Sequence, residues 1–93
     1  MAEKIMTKHP EGKQGVNLDK HKYETIKNAI IEVLKENQTT TFKELTNDVK
    51  EKLGNSFDGS ITWYVTTIKL DLKVRNIIEQ IQRRPQTLKL VSQ

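Results

Sequence analysis

The chain has 93 residues and no cysteine, and its sixteen Lys and Arg against twelve Asp and Glu give a formal net charge of +4. So short a chain closes one small core with no second domain, and without cysteine it has neither a disulfide framework nor thiol chemistry. No apolar run nears the roughly 20 residues that span a bilayer and no signal-peptide stretch opens the chain, so a soluble cytoplasmic protein without membrane contact is expected.

Residues 1–17 contain His9-Pro10, Gly12 and Gly15 and show no hydrophobic period. They read as a flexible N-terminal arm, one that becomes ordered on binding or by packing back on the core, ahead of a domain over residues 18–93. Leu18-Asp19 opens the first helix. Asp19 suits the N-cap, and Leu18 and Tyr23 stand where a hydrophobic staple would place them. Tyr23, Ile26, Ile30, Val33 and Leu34 follow at helical spacing until Glu36-Asn37-Gln38. In the β-branched triplet Thr39-Thr40-Thr41, Thr40 offers a short edge strand. Thr41 then caps a second helix, because Thr41-Phe-Lys-Glu44 matches the capping box. Phe42, Leu45, Val49 and Leu53 form its stripe, and Gly54 fits the residue after its end.

The stretch Gly59 to Arg75 holds the only tryptophan and is ambiguous between strand and helix. Its β-branched content and its alternation from Leu70 to Val74 favour a strand. Ile61, Tyr64, Val65, Ile68 and Leu72 recur at helical spacing, and sixteen residues without glycine or proline exceed any usual strand, so length predicts a helix over about Ser60 to Arg75. This helix has a second apolar stripe of Trp63, Leu70 and Val74, with a polar strip of Thr62, Thr66, Lys69 and Lys73 between the two. Ile77 to Arg83 and Thr87 to Val91 then read as strands of a hairpin around Arg84-Pro85-Gln86, with Ile77, Glu79, Ile81 and Arg83 on one parity. The expected core is Ile26, Ile30, Leu34, Leu45, Val49, Ile61, Val65, Ile68 and Leu72, covered on one side by Ile81 and Leu90.

The order helix, short strand, helix, turn, helix, hairpin is that of an α+β winged helix-turn-helix domain, in which the hairpin is the wing. Thr41-Phe-Lys-Glu-Leu followed by a capped third helix and a basic hairpin resembles the winged-helix superfamily. More narrowly, Gly59-Ser-Ile-Thr-Trp-Tyr-Val-Thr-Thr-Ile-Lys-Leu-Asp-Leu with Arg83-Arg-Pro-Gln-Thr-Leu-Lys-Leu is similar to a family of small bacterial proteins, and His9-Pro, Gly12-Lys-Gln-Gly and Asp19 to Tyr23 fit the same pattern. The resemblance implies a fold and no particular activity.

Positive charge is concentrated in the C-terminal third, at Lys69, Lys73, Arg75, Arg83, Arg84 and Lys89. The favoured expectation is a small DNA-binding protein, a transcriptional regulator or accessory factor. Ser60, Thr62, Thr66, Lys69 and Lys73 would enter the major groove of double-stranded DNA, and Arg83 and Arg84 would hold phosphates. Among the side chains this helix offers to a groove there is no Arg, Asn or Gln, so little base-specific readout is expected from it. The bland alternative is a solvated polar strip and an ordinary charged hairpin tip. Trp63, Leu70 and Val74 are expected to pack under the wing; left uncovered, they would form a homodimer seam or a patch for a protein partner. The second function class is accordingly a winged helix that binds protein and not DNA. Two histidines without cysteine, no nucleophile elbow and no phosphate-binding loop leave no basis for a metal site, a cofactor or catalysis.

Overall fold

The computed structural model describes residues 3–9 and 15–91. Its elements are β1 (Lys4–Met6), β2 (Asn17–Asp19), α1 (Lys20–Asn37), β3 (Thr39–Thr41), α2 (Phe42–Leu53), α3 (Ile61–Val74), β4 (Ile78–Arg83) and β5 (Gln86–Leu90). This is a mixed α+β arrangement of three helices and two small antiparallel sheets, β1-β2 and β3-β5-β4. No helix among the described residues is long and apolar enough to cross a membrane.

Local chemistry fixes the helix ends. The Asp19 carboxylate accepts from the backbone N–H groups of His21 and Lys22, satisfying two donors that have no partner within α1. Thr41 and Glu44 form the reciprocal capping box of α2, and the Gly54 N–H closes its C-terminus onto the Lys50 carbonyl at 2.8 Å. Ser60 caps α3, accepting from the Trp63 N–H at 3.2 Å. Gly59 precedes it with φ +126°, and a Cβ there would also lie 3.1 Å from the Tyr64 ring. Both constraints select glycine.

The core lies between the helices and the inner face of the larger sheet. Ile26, Ile30, Val33 and Leu34 of α1, Leu45 and Val49 of α2, and Val65, Ile68 and Leu72 of α3 are all buried, closed by Ile78 and Leu88. Leu90 packs half-buried against the core as expected, but Ile81 is 49% exposed and Ile78 takes the inward place. The inward parity of β4 starts at Ile78, so Ile81 falls on the opposite parity with exposed Glu79, and it sits at the register shift between Gln80 and Gln82. Ile61, also expected inside, is half-buried at the first turn of α3.

The expected arm is incorporated into the fold where it is described; the predicted motif residues 10–14 lie outside the described residues. β1 pairs with β2 in the register Ile5↔Leu18, and the Thr7 N–H donates to the Val16 carbonyl at 2.9 Å. A Cβ on Gly15 would fall 1.7 Å from the Thr7 carbonyl oxygen, so only glycine allows the chain to return this closely. Three-residue strands are too short to show a period, which is why the sequence pattern gave no strand here. The Lys8 N–H then reaches Asp71 of α3 at 2.8 Å, tying the segment to the central helix.

Candidate interaction surface

Helix α3 is apolar on two sides, and its rotational setting decides what the molecule presents to solvent. Val65, Ile68, Lys69, Asp71 and Leu72 are its buried residues. At about 100° per residue, the direction opposite to them is that of Trp63, Thr67, Leu70 and Val74. Trp63 is 44% exposed, Val74 is 36% exposed, and Leu70 is half-buried. These three were expected to pack beneath the hairpin. The strip that lies under the hairpin is the one with Lys69 and Lys73.

Glutamine side chains account for the difference. The Lys69 ammonium donates to Gln86 Oε1 at 2.8 Å, and Gln86 Nε2 donates to Gln80 Oε1 at 3.0 Å. Lys73 Nζ donates to the same Gln80 oxygen at 3.1 Å. Two hairpin amides therefore take up both ammonium groups and clamp β4 and β5 to α3. Lys69 is only 6% exposed, with its Nζ 4.3 Å from the centre of the Phe42 ring. Burial first, and then repulsion from Lys73, lower its pKa to about 8. It is therefore not available on the free face where the sequence placed it.

The remaining predicted contact residues are scattered. Ser60 is exposed but its hydroxyl is spent on the cap, and the Thr66 hydroxyl donates to the Thr62 carbonyl at 2.9 Å. Thr62 is exposed on the first turn of α3. Arg83 and Arg84 are exposed at the hairpin tip, where Gln82 Nε2 donates to the Arg84 carbonyl at 2.9 Å and the Thr87 hydroxyl to that of Pro85 at 3.0 Å. No side chain of the described residues forms an ion pair with either arginine. Thus the structure brings Lys69 and Lys73 together against the hairpin and leaves the two arginines outside it.

Trp63 is backed by two further aromatic rings. Its ring stands edge-on to Tyr64 with centroids 5.0 Å apart, and Tyr64 stands edge-on to Phe57 at 5.0 Å. Lys22 Nζ approaches the Phe57 and Tyr64 rings to 5.9 and 5.8 Å from the α1 side. The sequence signal for this cluster was Phe57, the one apolar residue of a polar turn; its pairing with Tyr64 is a tertiary contact that no local pattern reveals.

On the other side of α3 lies a polar centre that sequence reasoning missed entirely. Asp71 has no exposed surface, and its carboxylate accepts from the Tyr23 hydroxyl, from Arg75 Nε at 2.9 Å and from the Lys8 N–H at 2.8 Å. Burial, followed by the hydrogen bond to Asp71 and its negative charge, pushes the Tyr23 phenol above the ordinary tyrosine range. The same carboxylate raises the Arg75 guanidinium. Every buried side-chain nitrogen and oxygen of the described residues has a partner, so this centre is a satisfied hydrogen-bonded clasp. Among the described residues no three His, Asp or Glu come together as a metal would require.

No curated protein and no solved structure gives a significant match to the chain. Residues 4–88 match the family model DUF6958, and the chain belongs to that family of unknown function.

Proposed function

We propose that this chain is a winged helix-turn-helix domain serving as a protein-interaction module without catalytic activity, and that the outward face of α3 is its contact surface. The strand order β3-β5-β4, with α2 and α3 joined by a short turn, supports the winged-helix assignment. The observation that carries the function is the face itself. Trp63, supported by Tyr64 and Phe57, stands in line with Leu70 and Val74, while the lysines that would have faced DNA are drawn under the hairpin. An exposed tryptophan, packed edge-on against Tyr64 at one end of an apolar stripe, has the character of an interface anchor. Site-directed photo-cross-linking tests this. A benzophenone side chain at Thr67 on the outward face is expected to give a discrete protein adduct in the native host, and one at Glu36 on α1 to give none. Equal labelling from both positions would contradict the proposal.

The hairpin tip favours a second reading, in which Arg83 and Arg84 bind the phosphates of double-stranded DNA and Ser60, Thr62 and Thr66 approach the groove. That reading expects binding with little sequence preference. Replacing both arginines by alanine should reduce the slope of log affinity against log salt by up to about 2. Fluorescence anisotropy with mixed-sequence duplexes measures it, and no binding at low salt would eliminate DNA as the ligand.

A further inference from the structure

We infer that the chain pairs with a second copy of itself through the outer edge of β4, the two strands running antiparallel about a two-fold axis. In the larger sheet β4 is an edge strand, with β5 its one strand neighbour among the described residues. It is six residues long, and Ile81 near its middle is 49% exposed. Such an edge presents a row of backbone N–H and C=O groups to a further strand. This surface is separate from the outward face of α3, and the inference does not rest on the reading of that face.

The irregularity in β4 sets the register. Glu79 lies on the outer face of the sheet, where it meets Lys89 of β5 at 3.5 Å, while Gln80 turns to α3 and takes the Lys73 ammonium. Ile81 is the extra residue of the strand. Beyond it Gln82 stands opposite Thr87, and Arg83 opposite Gln86, whose side chain reaches Lys69 of α3. The outer face of β4 therefore carries Glu79, Ile81 and Gln82, and the face towards α3 carries Gln80 and Arg83. Residues directly opposite across an antiparallel pair share a face. That condition is met when Glu79 lies opposite Arg84 of the second copy, Gln80 opposite its Arg83, and Ile81 opposite its Gln82.

Charge complementarity selects a second copy as the occupant. Edge strands are commonly guarded by like charges, which repel their own kind. Here the acid stands at one end of β4 and the arginines at the other, so a two-fold axis brings each Glu79 to the Arg84 of the other chain. Arg84 is exposed and has no acid partner among the described residues. An ion pair thus flanks each side of the axis, and the two exposed Ile81 side chains come together beside it. Opposite charges and apolar pairs across neighbouring strands are the contacts that stabilise a sheet.

Sedimentation equilibrium of the full chain tests the inference. An interface of one strand from each copy is smaller than that of a stable complex, so dimers are expected with a dissociation constant on the order of 0.1 mM. Glu79→Arg places arginine opposite arginine, and Arg84→Glu places acid opposite acid. Each variant alone should dimerise about tenfold more weakly. An equimolar mixture of the two restores both ion pairs and should associate as the unaltered chain does. Damage to the fold of either variant cannot produce that recovery, so the mixture keeps the test decisive. A protein that stays monomeric at about 1 mM overturns the inference. So does a dimer indifferent to both reversals, or a mixture that associates no better than its components. A dimer abolished by Trp63→Ala also overturns it, placing the seam on α3. The cross-link from Thr67 reports on the α3 reading independently of all these outcomes.

Discussion

The two sides of α3 carry similar residue types and do opposite things. The inward side holds Val65, Ile68 and Leu72 together with two charges, Lys69 and Asp71; the outward side holds Trp63, Leu70 and Val74 with threonines. Hydrophobicity alone would have turned the tryptophan stripe inward and the lysines outward. What reverses this is polar complementarity from other elements. Gln80 and Gln86 receive the lysines, and Tyr23, Arg75 and the Lys8 backbone receive the aspartate. A helix with two apolar faces is set in rotation by what its polar groups can find, because an unpartnered buried charge costs more than an exposed tryptophan.

The comparison can be broken most forcefully at Asp71. Asp71→Ala leaves the Tyr23 hydroxyl and the Lys8 N–H without their acceptor and Arg75 without its counter-charge. A loss of about 3–5 kcal/mol is expected in a urea titration, with earlier proteolysis of the segment before Lys20. Ile68→Ala, in the apolar part of the same side, should cost about 2–5 kcal/mol. A loss near zero for either would show that the inward side is wrongly assigned.

The buried lysine behaves differently from the buried aspartate, since it has only an amide and a ring as partners. Its pKa falls from 10.5 in the unfolded chain to about 8 in the fold. Between those values the unfolded state binds more protons, so stability rises with pH from about 8 towards 10. The raised phenol of Tyr23 acts in the opposite sense. It stays protonated in the fold when the unfolded tyrosine ionises near 10, so stability declines above that pH. Thermal unfolding across pH 7 to 11 should therefore pass through a maximum near pH 10. Lys69→Met should flatten the rise and raise stability at pH 7 by about 1 kcal/mol. A profile identical to that of the wild type would mean that Lys69 is not buried as a cation.

The smallest stability effect is expected on the outward side. Trp63→Ala should cost under about 1 kcal/mol in the same urea titration, since its ring is supported from one edge and open on the other. The same substitution should abolish the Thr67 cross-link. A stability loss as large as that of Ile68→Ala would place Trp63 in the core.

Much of the fold was legible in the chain. Asp19, Thr41 with Glu44, Gly54 and Ser60 mark helix ends by the hydrogen bonds they make locally, and the observed α3 runs one residue inside each predicted end. Thr40 was recognisable as a strand, and the hairpin was bounded by its proline turn. The sheet interior was less so, because Ile77-Ile78 offers an apolar residue on each parity and the fold turns Ile78 inward, which leaves Ile81 on the outward one. The candidate site was legible in composition but not in orientation. Trp63, Leu70 and Val74 were identified as a stripe, yet whether they face the hairpin or solvent depends on Gln80 and Gln86. Those two residues lie outside the helix and carry no periodic signal. Asp71 was hidden for a similar reason: beyond its i+4 partner Arg75, its partners Tyr23 and Lys8 lie 48 and 63 residues distant in sequence.

The central claim is the setting of α3, with Lys69 inside and Trp63 outside, and acrylamide quenching of the single tryptophan tests it most directly. The account predicts long-wavelength emission and ready quenching in the folded protein, approaching that of the urea-unfolded chain. A blue-shifted emission with little quenching until the protein unfolds would place Trp63 under the hairpin and contradict it.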